Sequence, residues 1–278
     1  GERVSGLVSR NLGWSGDSVF GDARAYFGAP SEGRERLARV LGEFKPTILV
    51  VCYGTNAAMT SERGWTDDSS GAKRSQSGDE AVLALFLEKY AALLDLMQKA
   101  SGEGLREVVL LAPPPLENLG PPLPDQVTNN RRLAVYRDAI RKLATDRAAR
   151  FVDLFGALGG DRFEGSVTKA PFTSNGIHYE DAGYWLLGEE LSKGLGLELP
   201  PNLSAKDPAL QSLRSLVVGK NRLFFHRWRP VNETYLFLFR KHEQGQNAKE
   251  IPMFDPLIVA EEKKIQKARA QVFTGLKQ

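Results

Sequence analysis

The stretch Pro46-Thr47-Ile48-Leu49-Val50-Val51-Cys52-Tyr53-Gly54-Thr55-Asn56 decides the fold class of this 278-residue chain. Its apolar centre is rich in β-branched residues and turn-forming residues follow it, which is typical of a buried strand that ends in a loop. The runs Glu107 to Ala112 and Arg150 to Leu154 have the same character. A segment with helical periodicity precedes each run. This alternation predicts an α/β fold with a parallel sheet covered by helices on both faces.

The helical segments carry apolar residues three and four positions apart. The first is predicted to start with Ser31 as its N-cap and to end before Pro46. The second begins at Asp79, the third leads into the third strand, and the fourth follows His178. Cys52, the only cysteine, lies inside an apolar run. We therefore expect it to be a small core residue without a disulfide partner.

Composition and charge exclude several classes of protein. The chain is 42% hydrophobic and 26% charged, which is typical of a globular domain with a sizeable core. No run approaches the roughly 20 apolar residues of a membrane span, and no apolar segment of a signal peptide follows Gly1-Glu2-Arg3. The net charge is +3, and the basic surplus lies in residues 219–278. Such a mild surplus is more typical of a solvated or docking face than of a nucleic-acid site.

The alternation stops after Pro200-Pro201. We therefore predict an α/β domain over residues 1–199 and a non-repetitive C-terminal extension over residues 200–278. The extension should end in a helix with Asp255 as N-cap and Pro256 at its first position. We see no independent core in it, so it is expected to pack on the domain or on a partner.

Two aromatic residues bear on the possibility that the extension packs on a partner. An exposed cluster of Trp228 and Phe237, in a basic surrounding, would mark a surface for a protein partner. If the extension packs on the domain instead, that argument weakens.

Two long connections follow the ends of predicted strands. Residues 60–78 are dense in Ser, Gly and charge, and residues 113–128 contain Pro113-Pro114-Pro115 and Pro121-Pro122. Long loops at the carboxyl edge of a parallel sheet often carry binding groups. Both loops are candidates for shaping a pocket, although the first could equally be disordered.

Three short motifs lie where a predicted strand ends or a helix begins. Asn11-Leu12-Gly13-Trp14-Ser15-Gly16-Asp17-Ser18 follows a short strand candidate, Leu7 to Arg10. Tyr53-Gly54-Thr55-Asn56 follows the next strand, and Asn175-Gly176-Ile177-His178 precedes the fourth helix. Because these points converge on one edge of a parallel sheet, backbone N–H groups, an amide and an imidazole can meet there.

These motifs resemble three of the four sequence blocks of the SGNH (GDSL-type) hydrolases. The resemblance implies a flavodoxin-like three-layer α/β/α fold, with Gly16 and Asn56 as oxyanion donors and His178 as the general base. Asn175 stands where the family usually has an aspartate. Taken separately, Gly16 could be a turn residue, Asn56 a helix cap and His178 a surface histidine.

The nucleophile block of the family, Gly-Asp-Ser, is not recognisable in its expected place. Only 12 residues precede Gly13, too few for a strand, a crossover helix and a second strand. We therefore expect this chain to lack the first block. Gly16-Asp17-Ser18 spells the signature, but it fits the second block better, which leaves Ser18 as an alternative nucleophile.

The resemblance implies hydrolysis of an acetyl or other small O-acyl ester, plausibly on a carbohydrate, through an acyl-serine intermediate. The alternative is a catalytically impaired SGNH-like module that binds a ligand or helps to assemble a complex. No cofactor is implied, and His226, His242 and Cys52 lack the spacing of metal ligands. Related esterases are often exported, which favours an extracytoplasmic location.

Overall fold

The computed structural model describes residues 6–60, 65–67, 74–76, 78–160, 171–200 and 203–275, and it forms two compact units. The larger unit is Trp14–Leu199, and the smaller one joins Gly1–Gly13 to Pro200–Gln278. In the larger unit the elements run α1 (Pro30–Phe44), β1 (Ile48–Cys52), α2 (Thr55–Thr60), β2 (Trp65–Asp67), β3 (Arg74–Gln76), α3 (Asp79–Ser101), β4 (Glu107–Leu111), α4 (Val127–Asp146), β5 (Arg150–Val152), α5 (Leu154–Ala157) and α6 (Asp181–Gly194). In the smaller unit they run α7 (Pro208–Trp228), α8 (Glu233–Leu236), α9 (Lys241–Gln244), a 3₁₀ segment (Gly245–Met253) and α10 (Phe254–Gly275).

The three predicted apolar runs form one parallel sheet in the order β1-β4-β5. Ile48 pairs with Glu107 and Val109 pairs with Arg150, so all three strands run in the same direction in register. Their carboxyl ends therefore share one edge, where the loops after Cys52, Leu111 and Val152 begin. This confirms the predicted α/β fold.

Helices pack on both faces of the central strand. Val109 and Leu111 form a buried cluster with Val152, and Leu187 and Leu191 of α6 pack against that cluster. Because side chains alternate along a strand, Val108 and Leu110 point to the opposite face, the side covered by α3 and α4. The result is a three-layer α/β/α arrangement.

The core of the larger unit follows the predicted helical spacing. Helix α3 begins at Asp79 as expected and buries one apolar stripe against α1 and α4. The buried residues of this stripe include Val82, Phe86, Tyr90, Leu93, Leu94 and Met97.

Cys52 departs from the prediction, because its side chain is exposed rather than part of the core. Strand β1 has an alternating pattern in which Leu49 and Val51 are buried, while Ile48 and Val50 are about half exposed. Ile48, Val50 and Cys52 share one face of β1, which is open in the described part of the chain, whereas Leu49 and Val51 share the covered face.

Three local predictions are wrong in detail. Leu7 to Arg10 is not a strand, and its residues belong to the smaller unit, in which Lys220 contacts Ser9. Helix α1 starts at Pro30 with Ala29 as N-cap, because proline suits the first helical position, so Ser31 is not the cap. The connection 60–78 contains a two-stranded antiparallel ribbon, β2 with β3.

The smaller unit is built on two long helices, α7 and α10, which pack against each other. Helix α10 begins at Phe254, so Asp255 lies in its first turn and is not the N-cap. Trp228 is half-buried and stacks on Phe224 at 6.2 Å between ring centroids, whereas Phe237 is exposed. The exposed Trp228 and Phe237 cluster that would mark a partner surface is therefore not formed. Buried apolar side chains of this unit are Phe224, Leu236, Ile258, Ile265 and Val272.

A buried polar network ties the N-terminal arm to this helix pair. The Lys220 ammonium, 1% exposed, donates to the Ser9 carbonyl at 2.7 Å and lies 3.7 Å from Glu262. Arg10 pairs with the same carboxylate at 2.5 Å and lies over the ring of Phe224. Burial lowers the pKa of Lys220, and Glu262 opposes that effect.

Within the described ranges, no helix has both the length and the apolar character needed to cross a bilayer.

Candidate active site

Gly16 occupies a tight turn directly before the Asp17 carboxylate. The Asp17 N–H donates to the Trp14 carbonyl at 3.1 Å, and Gly16, the third residue of this turn, has φ of +73°. Glycine adopts that conformation without the steric cost that a Cβ brings. No hydrogen bond to the Gly16 N–H is seen among the described residues, and the space beside its α-carbon is open. The turn therefore presents a free backbone donor.

The Gly16 turn is held in place by the buried Asp17 side chain. Its Oδ2 accepts hydrogen bonds from Arg24 Nε at 2.6 Å and from the Tyr53 hydroxyl at 2.7 Å. Tyr53 directly follows β1, so this contact anchors the turn to the carboxyl end of that strand. Burial, together with the negative charge of Asp17, raises the pKa of Tyr53, which therefore stays a neutral donor at physiological pH.

Asn56 lies in the first turn of α2 and faces the Gly16 turn. Its Nδ2 donates to the Gly16 carbonyl at 3.3 Å. An amide nitrogen carries two hydrogens, and no partner for the second is seen in the described part of the chain. The structure thus brings together the two residues predicted as oxyanion donors, which lie 40 positions apart in the sequence.

His178 ends a short turn whose geometry is set by Asn175. Asn175 Oδ1 accepts the N–H groups of Ile177 at 3.2 Å and of His178 at 3.0 Å. The His178 Nδ1 atom lies 2.9 Å from Asn175 Nδ2 and 3.1 Å from Oδ1. Asn175 therefore orients the imidazole, as expected from its position in the motif.

Asn175 contacts the ring at Nδ1 with both of its polar side-chain atoms. With the ring proton on Nε2, Nδ1 accepts from Asn175 Nδ2; with the proton on Nδ1, the ring donates to Oδ1, which also accepts the two backbone N–H groups. A general base needs the second tautomer, with a free lone pair on Nε2.

Glu117, which the sequence did not single out, anchors the His178 turn. Its buried carboxylate accepts the Phe172 N–H at 3.0 Å, the Thr173 N–H at 2.8 Å and the Thr173 hydroxyl at 2.5 Å. Its own N–H donates to the Gly176 carbonyl at 3.0 Å. Its position in the proline-rich connection 113–128, where a carboxylate is unusual among apolar neighbours, is the only sign of this role in the sequence.

The proline-rich connection also links the two halves of the site. Asn130 of α4 holds it by accepting from the Leu116 N–H and donating to the Leu116 carbonyl, each at 2.8 Å. Gly54 packs so closely against Pro113 that a Cβ at Gly54 would lie 2.9 Å from the proline ring. One ordered loop therefore contacts the motif that carries Asn56 and, through Glu117, the motif that carries His178.

Ser18 is buried, with 2% of its surface exposed. Its hydroxyl donates to the Asp22 carboxylate and accepts from the Phe20 N–H at 3.1 Å. A hydroxyl that is buried and satisfied on both sides caps a local turn and is not available to attack an ester. In the described residues, no serine hydroxyl hydrogen-bonds to the His178 ring.

Asp153 lies at the end of β5 and acts as a helix cap. It accepts the Gly156 N–H at 2.8 Å and pairs with Arg141 at 2.7 Å. Across the described ranges, no group of His, Cys, Asp and Glu side chains is arranged to hold a metal ion.

Comparisons with known proteins place this site in a family context. Residues 2–186 match the GDSL-like lipase/acylhydrolase family. No curated protein matches the chain.

Similar solved structures include Axe2, an acetylxylan esterase from Geobacillus stearothermophilus, and LAE5, an alpha/beta hydrolase from the metagenome of Lake Arreo. Axe2 is 18% identical with a TM-score of 0.40 over 59% of this chain and 66% of that one. LAE5 is 20% identical with a TM-score of 0.41 over 66% of this chain and 69% of that one. The chain covers less than two thirds of the length of the Axe2 structures: 66% of the one above and 62% of another.

Proposed function

Because the chain belongs to the GDSL-like lipase/acylhydrolase family, we propose that its site hydrolyses O-acyl esters through an acyl-serine intermediate. Gly16 and Asn56 would hold the oxyanion, and His178 would move the proton. The substrate class that the SGNH resemblance favours is an acetyl or other small acyl group on a carbohydrate. The nucleophile would be the serine of the family's first block, which the described residues do not supply.

The proposed reaction has two steps. In the first, the serine hydroxyl gives its proton to His178 Nε2 while its oxygen attacks the ester carbonyl. Negative charge then develops on the former carbonyl oxygen, and the alcohol leaves with the proton from Nε2. In the second, water repeats the attack on the acyl-serine and releases the carboxylic acid and the serine. Fixed donors stabilise the charge that appears only in these intermediates.

The observation that carries the proposal is the contact of Asn56 Nδ2 with the Gly16 carbonyl at 3.3 Å. This contact uses one amide hydrogen and leaves the other free beside the free Gly16 N–H. A module that serves only as a scaffold gains nothing from two such donors held side by side. The pairing of these groups therefore favours an acyl-transfer site.

A second candidate function is an impaired relative that binds an ester or acyl ligand without turning it over. The 2.9 Å contact between Asn175 Nδ2 and His178 Nδ1 favours it, because a hydrogen bond from Nδ2 puts the ring proton on Nε2. In addition, an asparagine cannot offset the positive charge of an imidazolium as an aspartate does.

The two functions are separated by treating the natural protein with a serine-reactive fluorophosphonate, followed by intact mass and peptide mapping. One labelled serine other than Ser18, with labelling reduced in His178→Gln, is expected for the hydrolase. Labelling at Ser18 would overturn the assignment of the motif around Gly16. No labelling at any serine would sink the acyl-serine mechanism and leave the binding module as the better account.

A further inference from the structure

The buried carboxylate of Glu117 has no part in the reaction steps above, yet it is the main polar link between the His178 turn and the proline-rich connection. It is 8% exposed and accepts hydrogen bonds from two backbone N–H groups and one hydroxyl of residues 172–173. Within the described part of the chain, no Lys, Arg or His side chain pairs with it. Burying an unpaired carboxylate costs free energy unless hydrogen bonds offset the loss of water.

The hydrogen bonds of Glu117, Thr173 and Gly176 form a closed circle within the His178 turn. The Thr173 hydroxyl donates to Glu117, and the same oxygen accepts the Gly176 N–H at 3.0 Å. The Gly176 carbonyl in turn accepts the Glu117 N–H at 3.0 Å. Gly176 has φ of +88°, and a Cβ there would lie 2.7 Å from the Glu117 carbonyl oxygen. The turn thus sits directly against the Glu117 backbone and is fixed at both its start and its middle.

Apart from the Tyr179 hydroxyl, which donates to the Pro115 carbonyl of the proline-rich connection at 3.5 Å, the remaining contacts of the turn are internal. Ser174 N–H donates to the His178 carbonyl at 2.9 Å, and Thr173 pairs with Tyr179 in an antiparallel bridge. These bonds keep the shape of the turn but do not connect it to the sheet. The negative charge of Glu117 nevertheless reaches the residue after His178, because it adds to burial in raising the pKa of Tyr179.

We propose that Glu117 is a positioning residue for His178: it holds the turn of residues 173–178 against the proline-rich connection and so keeps the imidazole in place. This inference rests on the proposed function for its kinetic consequence, but its structural part stands without activity. A displacement of about 1 Å at a catalytic group can lower a rate on the order of 100-fold.

Three variants separate position, charge and folding. Glu117→Ala removes the anchor entirely. In Glu117→Gln, the amide oxygen can still accept from Thr173, so the charge is lost while most of the geometry stays. Thr173→Val deletes only the hydroxyl that links Glu117 to Gly176. Glu103→Gln, at an exposed carboxylate after α3, is the matched control.

The ¹⁵N NMR spectrum of the His178 imidazole tests the proposal without any need for activity. The chain has three histidines, and the signals that are lost in His178→Gln assign those of His178. We expect one sharp set of ring resonances in the wild type, in Glu117→Gln and in the Glu103→Gln control. We expect broadened or doubled resonances in Glu117→Ala and in Thr173→Val, because the ring then samples more than one position. An unchanged His178 spectrum in folded Glu117→Ala would overturn the proposal.

The kinetic readout is kcat and KM on a soluble acetyl ester. We expect kcat to fall 10- to 100-fold in Glu117→Ala while KM stays within about twofold of the wild-type value. We expect Glu117→Gln to keep most of the wild-type kcat. The double variant Glu117→Ala/Thr173→Val should lose no more kcat than Glu117→Ala alone, because both residues act through the same hydrogen bonds to the turn. If the two losses in kcat multiply in the double variant, Glu117 and Thr173 act independently, which would contradict the proposed circle of hydrogen bonds. If the wild type hydrolyses no ester, the proposed function fails, whereas the ¹⁵N spectra still decide the role of Glu117.

Discussion

Replacing Asn175 by aspartate tests how far the tautomer of His178 limits this site. The new carboxylate keeps an oxygen for the N–H groups of Ile177 and His178, now 3.2 and 3.0 Å from Oδ1. Its second oxygen replaces Nδ2, which lies 2.9 Å from His178 Nδ1. A carboxylate can only accept there, so Nδ1 must carry the ring proton and Nε2 becomes free to act as a base.

The size of the effect follows from the bonds involved. With Asn175 Nδ2 donating to Nδ1, reaching the active tautomer in the wild type breaks that hydrogen bond, which contributes about 1 kcal/mol. The imidazolium that forms during the reaction also lacks a charged partner, whose hydrogen bond would contribute about 2–3 kcal/mol. Together these amount to about 3–4 kcal/mol, so Asn175→Asp should raise kcat on the order of 10²- to 10³-fold.

The assay is the initial rate of hydrolysis of a soluble acetyl ester between about pH 5 and 9, with Asn247→Asp in the smaller unit as the charge control. The introduced carboxylate stabilises the imidazolium, so the acid limb of the profile should move to higher pH. An unchanged or lower kcat, together with a wild-type ring already protonated on Nδ1, would refute the tautomer reasoning. A rise of similar size in Asn247→Asp would show that added charge alone is responsible.

Three further predictions address the oxyanion donors, their support and the smaller unit. Asn56→Ala should lower kcat on the order of 100-fold or more with little change in KM, measured by steady-state kinetics, because the amide acts only on the developing charge. Asp17→Asn removes the carboxylate that pairs with the buried Arg24 at 2.6 Å and should lower the free energy of unfolding by about 3 kcal/mol in urea titration; a loss below 1 kcal/mol would show that the pair is not needed. Lys220→Met removes the donor to the Ser9 carbonyl and the ammonium that lies 3.7 Å from the buried Glu262 carboxylate, and it should cost about 1–3 kcal/mol by the same measurement, whereas the exposed Lys263→Met should stay within about 0.5 kcal/mol.

The predictable part of the fold is the part governed by local pattern. The β-branched run of β1 and the spacing of Val82, Phe86 and Tyr90 in α3 predicted elements that the structure confirms. Leu7 to Arg10 shows the limit of that approach, since its apolar residues resemble a strand but pair with no neighbouring strand among the residues that the structure describes. A short apolar segment becomes a strand only when a partner edge is available.

The candidate site, too, was predictable only where short sequence motifs identify its residues. Gly16, Asn56, Asn175 and His178 could be named from their motifs, and the structure pairs Gly16 with Asn56 and Asn175 with His178. Whether they act in catalysis stays a prediction. Glu117 could not be named, because its partners lie 55 and 56 positions away and a lone carboxylate in a loop has many possible roles.

The sequence by itself determined the three strands of the parallel sheet, the main helices of the larger unit and the motifs that stand at their ends, because periodicity and turn chemistry act over a few residues. Only the tertiary structure decided that Ser18 is buried, that the Asn56 amide meets the Gly16 carbonyl, and that Glu117 anchors the turn of His178. These outcomes depend on hydrogen bonds and burial between segments far apart in the chain. Such contacts are set by how the elements pack, and no local pattern encodes them.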